Sequence, residues 1–167
     1  MVHKAQHLYE KWTIGGPKGT VYDLTLSGWF DMVTFEKCFL EILLPYPKQN
    51  STPEEIKIII DDNLASHFSP RVVEAALENT IYMTPLPANS THLMQPLDVS
   101  FFAPMKRKWR EVLDGGKGAI PKEQFPSLFN RLWVSIKENA AKNLQSGFRS
   151  TGISPFMAFY CTLSLCF

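Results

Sequence analysis

The sequence predicts an α/β fold, and three neighbouring segments carry that prediction. Ile56 to Asp62 is a short β-branched run that ends at two carboxylates, as expected of a buried strand that reaches a sheet edge. A Ser-Pro pair at 69–70 provides the N-cap and first position of a helix that runs to about Asn79. Ile81 to Thr84 is a second apolar run. Strand, helix and strand in this order form a βαβ unit, so the sheet is at least partly parallel.

The residues before this unit predict a strand, a loop and a helix. Met1 to Ala5 is predicted as a short strand, and residues 13–30, which are rich in Gly, Pro and Thr, as an irregular loop. Asp31 to Leu44 places apolar residues at helical spacing. Pro45 and Pro47 are expected to end that helix and open a loop.

The residues after this unit predict a loop and two longer helices. Asp98 to about Leu113 is predicted as a helix that a Gly-Gly pair ends, and Pro121 to about Ser146 as another. The last residues, 157–167, are apolar but too short to cross a bilayer. We therefore expect one domain, residues 1–156, followed by a C-terminal tail, residues 157–167.

Charge is distributed unevenly along the chain, although the net charge is only +1. Residues 1–103 carry 7 Lys/Arg and 12 Asp/Glu, whereas residues 104–167 carry 10 and 4. Such a pattern suits a metal site beside a phosphate-binding surface, and chance clustering on solvated helices is the alternative. The three cysteines follow no zinc-site spacing, and Gly15 to Gly19 lacks the ending of a phosphate-binding loop. No segment is long enough to predict a membrane span.

Two aspartate-bearing segments are the candidate functional site. The apolar run that starts at Ile56 ends at Asp61 and Asp62, and Asp98 follows a loop downstream. Carboxylates that meet at the carboxyl edge of a sheet can hold a divalent cation for phosphodiester chemistry. A strand-end aspartate can instead cap the following turn, and Asp98 can be a helix N-cap. Since successive strand residues face opposite ways, only one carboxylate of the Asp-Asp pair is expected to face the site.

A basic run on the first of the two later helices is the candidate DNA-contacting surface. On a helix, residues 106 and 110 share a face, as do 107 and 110. Phosphate contacts from such a face position a protein on DNA without reading sequence, and a solvated helix face is the alternative. Trp109 lies on another side and is expected to pack into the core, as are Trp29 and Trp133. The predicted DNA-binding residues are Lys106, Arg107, Lys108 and Arg110.

Six short stretches carry a family resemblance that covers about residues 1 to 156: Tyr9–Trp12, Gly16–Gly19, Ser27–Asp31, Asp62–His67, Leu86–Asp98 and Gly147–Ile153. In this order they resemble the catalytic domain of DDE-type transposases in the pogo, Tigger and jerky branch of the mariner superfamily. The resemblance implies an RNase H-like fold, in which a mixed sheet is flanked by helices. It also implies a nuclear, DNA-binding protein that cleaves and transfers DNA strands and can associate with other transposase chains.

In this family three acidic residues bind two divalent metal ions. The ions are Mg²⁺ or Mn²⁺, and the ligands do not show which, because carboxylate oxygens suit both. The resemblance places the second acidic residue on Asp62, because Asn63 follows it, and the third on Asp98. Asp61 stands where the family usually has an apolar residue. His67 can orient a carboxylate or a phosphate, or serve a structural role, and His92 is expected to fix its loop.

The chain departs from the family at its start. It is expected to begin near the family's third strand, so that the first two strands, the first acidic residue and the helix-turn-helix region are missing. An incomplete sheet and a missing metal ligand predict that catalysis fails or is severely weakened, and the status as an enzyme stays open. The alternatives are a domesticated nuclear module that binds DNA or protein without catalysis, and a truncated, non-functional remnant.

Overall fold

The computed structural model describes residues 1–113 and 118–153, apart from the side chain of Lys48, and these residues form two compact units. The first unit comprises Met1–Gln6 and Asp23–Asn89, and the second comprises His7–Tyr22 and the described residues from Ser90 onward. The described first unit carries 5 Lys/Arg and 10 Asp/Glu, whereas the described second unit carries 11 and 5. The uneven charge along the sequence therefore coincides with a structural division.

The first unit is a mixed α/β arrangement with two small sheets of two parallel strands. Strand β1 (Val2–Lys4) pairs with β2 (Asp23–Thr25), and β3 (Lys57–Asp61) pairs with β4 (Ile81–Pro85). Helix α3 (Pro70–Glu78) connects β3 to β4, and the Ser69 hydroxyl caps it by accepting the Val72 N–H at 3.2 Å. The predicted βαβ unit is thus confirmed.

Strand β2 lies inside residues 13–30, which were predicted as an irregular loop, and that prediction is wrong for these three residues. The same segment contains Trp29, which was expected in the core but is 80% exposed. A tight turn explains its position: the Thr25 hydroxyl donates to the Trp29 carbonyl at 3.0 Å and accepts the Gly28 N–H at 2.9 Å. This turn fixes the backbone around Trp29 while the indole remains in solvent.

The predicted helix from Asp31 to Leu44 is present, but a second helix and not a loop follows it. Helix α1 (Met32–Cys38) continues into a π-helical turn (Phe39–Leu43), and α2 (Pro45–Asn50) follows. Asp31 caps α1 by accepting the Thr34 N–H at 2.9 Å. Pro45 occupies the first position of α2, where its missing N–H leaves no helical hydrogen bond unmade. The first helix therefore ends before Pro45 as predicted, whereas the prediction that the prolines open a loop is wrong up to Asn50.

The core of the first unit lies on one face of the β3–β4 sheet. Ile59 and Met83, on that face, pack against the core, whereas Ile58 and Tyr82, on the other face, are 40% and 50% exposed. The alternation follows from the two-residue period of a strand. The buried residues of this core are Phe35, Phe39, Leu44, Val72, Ala76 and Ile81.

The second unit is helical in the part that the structure describes. It contains 3₁₀ residues Glu10–Trp12, the short α4 (Thr91–Met94), a π-helical turn (Leu97–Phe101), α5 (Phe102–Val112) and α6 (Phe125–Ser150). Both long helices were predicted, with different starts. Gly147 of α6 is buried, and a Cβ there would collide with the carbonyl oxygen of Pro96. Trp109 is half-buried and meets Phe125 edge-to-face at 5.8 Å, as expected.

Three predictions concern residues that the structure does not describe. The Gly-Gly pair at 115–116, the 156/157 domain boundary and the tail 157–167 lie outside the described residues. Across the described part of the chain, no helix has both the length and the apolar character that crossing a membrane requires.

Candidate metal centre

The candidate site begins where β3 leaves its sheet. The strand ends at Asp61, and the backbone carbonyl of Asp61 accepts the N–H of Leu86, just after β4, at 2.8 Å. Asp62 therefore lies beyond the ladder. Asn63 follows with φ of 65°, a left-handed conformation that asparagine tolerates better than most residues. The chain thus turns sharply at the carboxyl end of the strand.

The Asp61 carboxylate is held inside this turn. Its side chain is 7% exposed. Oδ1 accepts the backbone N–H of Asn63 at 3.0 Å, and Oδ2 lies 2.6 Å from Nδ1 of His67. A carboxylate is an acceptor in such a pair, so Nδ1 carries the proton that it donates. Both oxygens of Asp61 therefore have partners within the turn.

His67 is fixed from two sides. It ends the 3₁₀ turn Ala65–His67, and its side chain is 16% exposed. Its ring stacks on Phe35 of α1, with centroids 4.0 Å apart and 22° between the planes. Phe35 belongs to the buried core, so the orientation of the imidazole is tied to the packing of the unit.

Asp62 is the exposed member of the group. Its side chain is 40% exposed, and Oδ1 accepts the Leu64 N–H at 3.3 Å and lies 3.7 Å from Nδ1 of His67. Partial burial raises the pKa of the Asp62 carboxyl above its ordinary value, and the neighbouring Asp61 carboxylate raises that pKa further, while His67 acts in the opposite direction. A cation placed here would relieve the repulsion between the two carboxylates.

The donor atoms of this group suit a divalent metal ion. One ligand atom each from Asp61, Asp62 and His67 can be chosen so that all lie within 4.8 Å of one another. Ligands about 2.1 Å from an octahedral ion are separated by about 3.0 to 4.2 Å, so the donor atoms of this group are spread slightly more widely than a bound ion requires. The expectation that only one of the two carboxylates faces a metal ion stays a prediction, and strand alternation does not decide it, because Asp62 lies outside β3.

The other predicted ligand, Asp98, belongs to the second unit. It is exposed and lies in the first turn of the π-helical segment, whose N-terminal flanking residue is Pro96. The alternative that Asp98 is an N-cap is therefore wrong, and its convergence with Asp62 stays a prediction. His92 lies in α4 and is exposed.

The predicted DNA-contacting run lies on α5. Lys106, Arg107 and Arg110 are exposed. Lys108 differs, since its Nζ lies 2.6 Å from Oε2 of Glu111, one turn further along the helix. Three of the four predicted DNA-binding residues are therefore exposed to solvent, whereas Lys108 forms a salt bridge with Glu111.

Comparison with known proteins establishes the family. Residues 1–114, more than half of the chain, match the model of the DDE superfamily endonucleases. The chain belongs to this family. The match includes β3, the turn with Asp61, Asp62 and His67, and the basic run of α5, so this DDE endonuclease chain carries its acid-rich turn within the region that defines the family.

One curated relative is similar over part of the chain. A protein of Cochliobolus lunatus named MFS-type transporter clz9 is 32% identical over 103 residues, which are 59% of this chain and 11% of that relative. The chain thus corresponds to about a tenth of the relative's length, and the transporter name is not carried over. No solved structure matches the chain significantly.

Sequence reasoning missed the part that Asp61 plays. The pattern predicted a strand up to Asp62 and treated Asp61 as the carboxylate facing away. The signal that could have found it is the spacing: an acidic pair with a histidine five and six residues later allows one short turn to bring all three together.

Proposed function

We propose that this DDE endonuclease chain is a transposase-derived, DNA-binding domain of the pogo, Tigger and jerky branch, with a metal centre on Asp62. The observation that carries the proposal is the convergence of Asp61, Asp62 and His67 at the carboxyl end of β3, within the region that matches the family. We further propose that the domain spans residues 1–156, has an RNase H-like fold, resides in the nucleus and associates with other transposase chains.

The metal centre is proposed to hold Mg²⁺ or Mn²⁺ through Asp62, with Asp98 joining it. A divalent cation at such a site neutralises phosphate charge and activates the attacking oxygen in DNA strand cleavage and transfer. Asp62 suits ligation because its carboxylate is the exposed one of the pair and lies close to a second negative charge. The ancestral reaction of the domain is then DNA strand cleavage and transfer, and the chain alone is proposed to be inactive.

DNA contact is proposed for the exposed basic face of α5. Lys106, Arg107 and Arg110 lie in a unit whose described residues carry 11 Lys/Arg against 5 Asp/Glu. Such a surface binds the phosphate backbone and makes affinity fall with salt. The same observation supports a second candidate function, a domesticated nuclear module that binds DNA or protein without catalysis, because this surface needs no metal.

Calorimetry of Mn²⁺ binding to the purified 167-residue chain tests the metal centre. Wild type, Asp62→Asn and Asp98→Asn are compared with Glu74→Gln, which removes an exposed carboxylate of α3 outside the site. We expect binding by wild type and Glu74→Gln, and loss of binding in both aspartate variants.

The outcomes separate the two candidate functions. Loss in Asp62→Asn alone would remove Asp98 from the site. A folded wild-type chain that binds no Mn²⁺ would reject the metal centre, and salt-sensitive DNA binding by that chain would then support the non-catalytic module.

A further inference from the structure

The two adjacent carboxylates of the proposed metal centre differ in what surrounds them. Asp61 is 7% exposed and Asp62 is 40% exposed. A buried carboxylate is stable in a protein only when hydrogen bonds or charges compensate its lost hydration. The Asn63 N–H and the His67 imidazole provide that compensation for Asp61. Asp61 therefore has hydrogen-bond partners of its own within the turn.

His67 connects the buried carboxylate to the exposed one. Its Nδ1 lies 2.6 Å from Oδ2 of Asp61 and 3.7 Å from Oδ1 of Asp62. The first distance is a hydrogen bond and the second is not, so the proton of Nδ1 is directed at Asp61. Because the ring also stacks on Phe35, turning it toward another partner would break both the hydrogen bond and the stacking.

These interactions disfavour metal ligation through Nδ1 of His67, whereas ligation through Nε2 is compatible with them and is the alternative that the resonance experiment below tests. For Nδ1 to bind a metal ion it would have to lose its proton and its hydrogen bond to Asp61. Asp61 in turn already uses both oxygens within the turn. Asp62, by contrast, has an exposed carboxylate beside this fixed pair.

We propose that Asp61 and His67 are positioning residues: Asp61 holds the imidazole, and the imidazole, stacked on Phe35, presents its N–H edge 3.7 Å from Oδ1 of Asp62 and keeps that carboxylate beside the metal ion by electrostatic attraction. The inference rests on the proposed metal centre. Partners that orient a ligand in this way change metal affinity by about 10- to 100-fold when they are removed.

Mn²⁺ calorimetry on the full chain provides the first test, with the variants Asp61→Asn, His67→Ala and His67→Asn. Asp61→Asn keeps the size of the side chain but removes its charge, and we expect affinity to fall by roughly 10- to 100-fold. His67→Ala should lose a similar amount. His67→Asn should recover most of that loss, because its amide N–H₂ can still donate to Asp61.

Electron paramagnetic resonance of bound Mn²⁺ provides the second test, because it distinguishes an imidazole that positions Asp62 from one that ligates the ion. Nitrogen coupling from a histidine appears when the imidazole ligates the ion directly. We expect that wild type and His67→Asn give the same spectrum, without a nitrogen coupling that belongs to His67. Such a coupling would make His67 a ligand and overturn the proposal, as would full Mn²⁺ affinity in both Asp61→Asn and His67→Ala.

Wild type distinguishes failure of the inference from failure of the proposed function. If wild type binds Mn²⁺ and the positioning variants bind equally well, only the inference fails. If folded wild type binds none, the metal centre fails and the inference with it. Should Asp61→Asn not fold, the contrast between His67→Ala and His67→Asn decides: equal affinities in these two variants would overturn the proposal.

Discussion

The phenyl ring of Phe35 and the imidazole of His67 are stacked, with their centroids 4.0 Å apart. Phe35 also stacks on Phe39, at 6.3 Å, and both phenylalanines belong to the buried core of the first unit. The aromatic row therefore leads from the centre of the core to a side chain of the candidate metal centre. Core packing and metal affinity should be coupled through it.

Replacing Phe35 with leucine tests this coupling. The variant keeps an apolar side chain but removes the stacking surface under His67, so we expect Mn²⁺ affinity to fall by roughly tenfold. Phe39→Leu is the matched control, because Phe39 is fully buried in the same core and its ring stacks on Phe35. Both variants should lower the unfolding free energy by about 1 to 3 kcal/mol, measured by urea denaturation. Equal Mn²⁺ affinity in the two variants would refute the coupling.

The basic face of α5 predicts salt-dependent DNA binding. The triple variant Lys106→Ala, Arg107→Ala and Arg110→Ala should weaken binding to a DNA duplex. It should also reduce the slope of log affinity against log salt by about 0.9 for each phosphate that is no longer neutralised. Fluorescence anisotropy across a salt series measures both quantities. Lys108→Ala is the control, since Lys108 already pairs with Glu111, and it should change the slope least. An unchanged slope in the triple variant would place the DNA surface elsewhere.

Gly147→Ala should destabilise the chain, although alanine is the better helix former. In an open helix this change stabilises by roughly 0.5 to 1 kcal/mol. Here the added Cβ would collide with the Pro96 carbonyl, so the helix or the segment before Asp98 must shift, at a cost of about 1 to 3 kcal/mol. Urea denaturation measures the difference, with the exposed neighbour Ser146→Ala as control. A stabilised Gly147→Ala variant would show that Pro96 and α6 are not in close contact.

The pair of Asp23 and Lys37 predicts an acid-sensitive contribution to stability. Partial burial raises the pKa of Asp23, but hydrogen bonds from the Lys37 ammonium, at 3.0 Å, and the Leu24 N–H outweigh it, so the folded pKa lies below the ordinary 3.8. A lowered folded pKa stabilises the protein above the unfolded value, and this contribution is lost as pH falls through the folded value.

Urea denaturation of wild type and Asp23→Asn between pH 2 and 7 measures this contribution. We expect the two unfolding free energies to differ most above about pH 5 and to converge as the pH falls below about 4. Lys37→Gln, which removes the other partner, should reduce the pH dependence in the same way. A difference that is constant over the whole range would mean that Asp23 is not the titrating group.

The sequence predicted the βαβ unit because its signals are local. Strand β3 contains the β-branched run Ile58–Ile60, and a Ser-Pro pair marks the start of α3. Strand β2 was not predicted although Tyr22, Leu24 and Leu26 alternate with polar residues, because the strand is only three residues long and lies in a segment rich in Gly, Pro and Thr, where its pairing with β1 is not visible. Helix α2 was missed because a proline that ends one helix can also begin the next, and local sequence does not reveal the second role.

The candidate site was predictable only in part, because only some of its signals are local in the sequence. An apolar run that ends in carboxylates indicated where ligands lie. The closeness of Asp61, Asp62 and His67 depends on one backbone turn with Asn63 in a left-handed conformation, which no periodicity reveals. The burial of Asp61 depends on Phe35 holding His67, a contact between residues 32 positions apart in the sequence.

The π-helical turn Leu97–Phe101 changes the angular phase of Asp98 relative to the helix that follows. Each residue advances an α-helix by about 100°, and a π turn takes in one residue more than an α turn does. A helical wheel drawn with a constant period from Asp98 to Arg110 therefore misplaces the carboxylate by roughly one residue's rotation. Deleting a single residue from this turn would rotate Asp98 away from its present direction while leaving every side chain of the basic face unchanged.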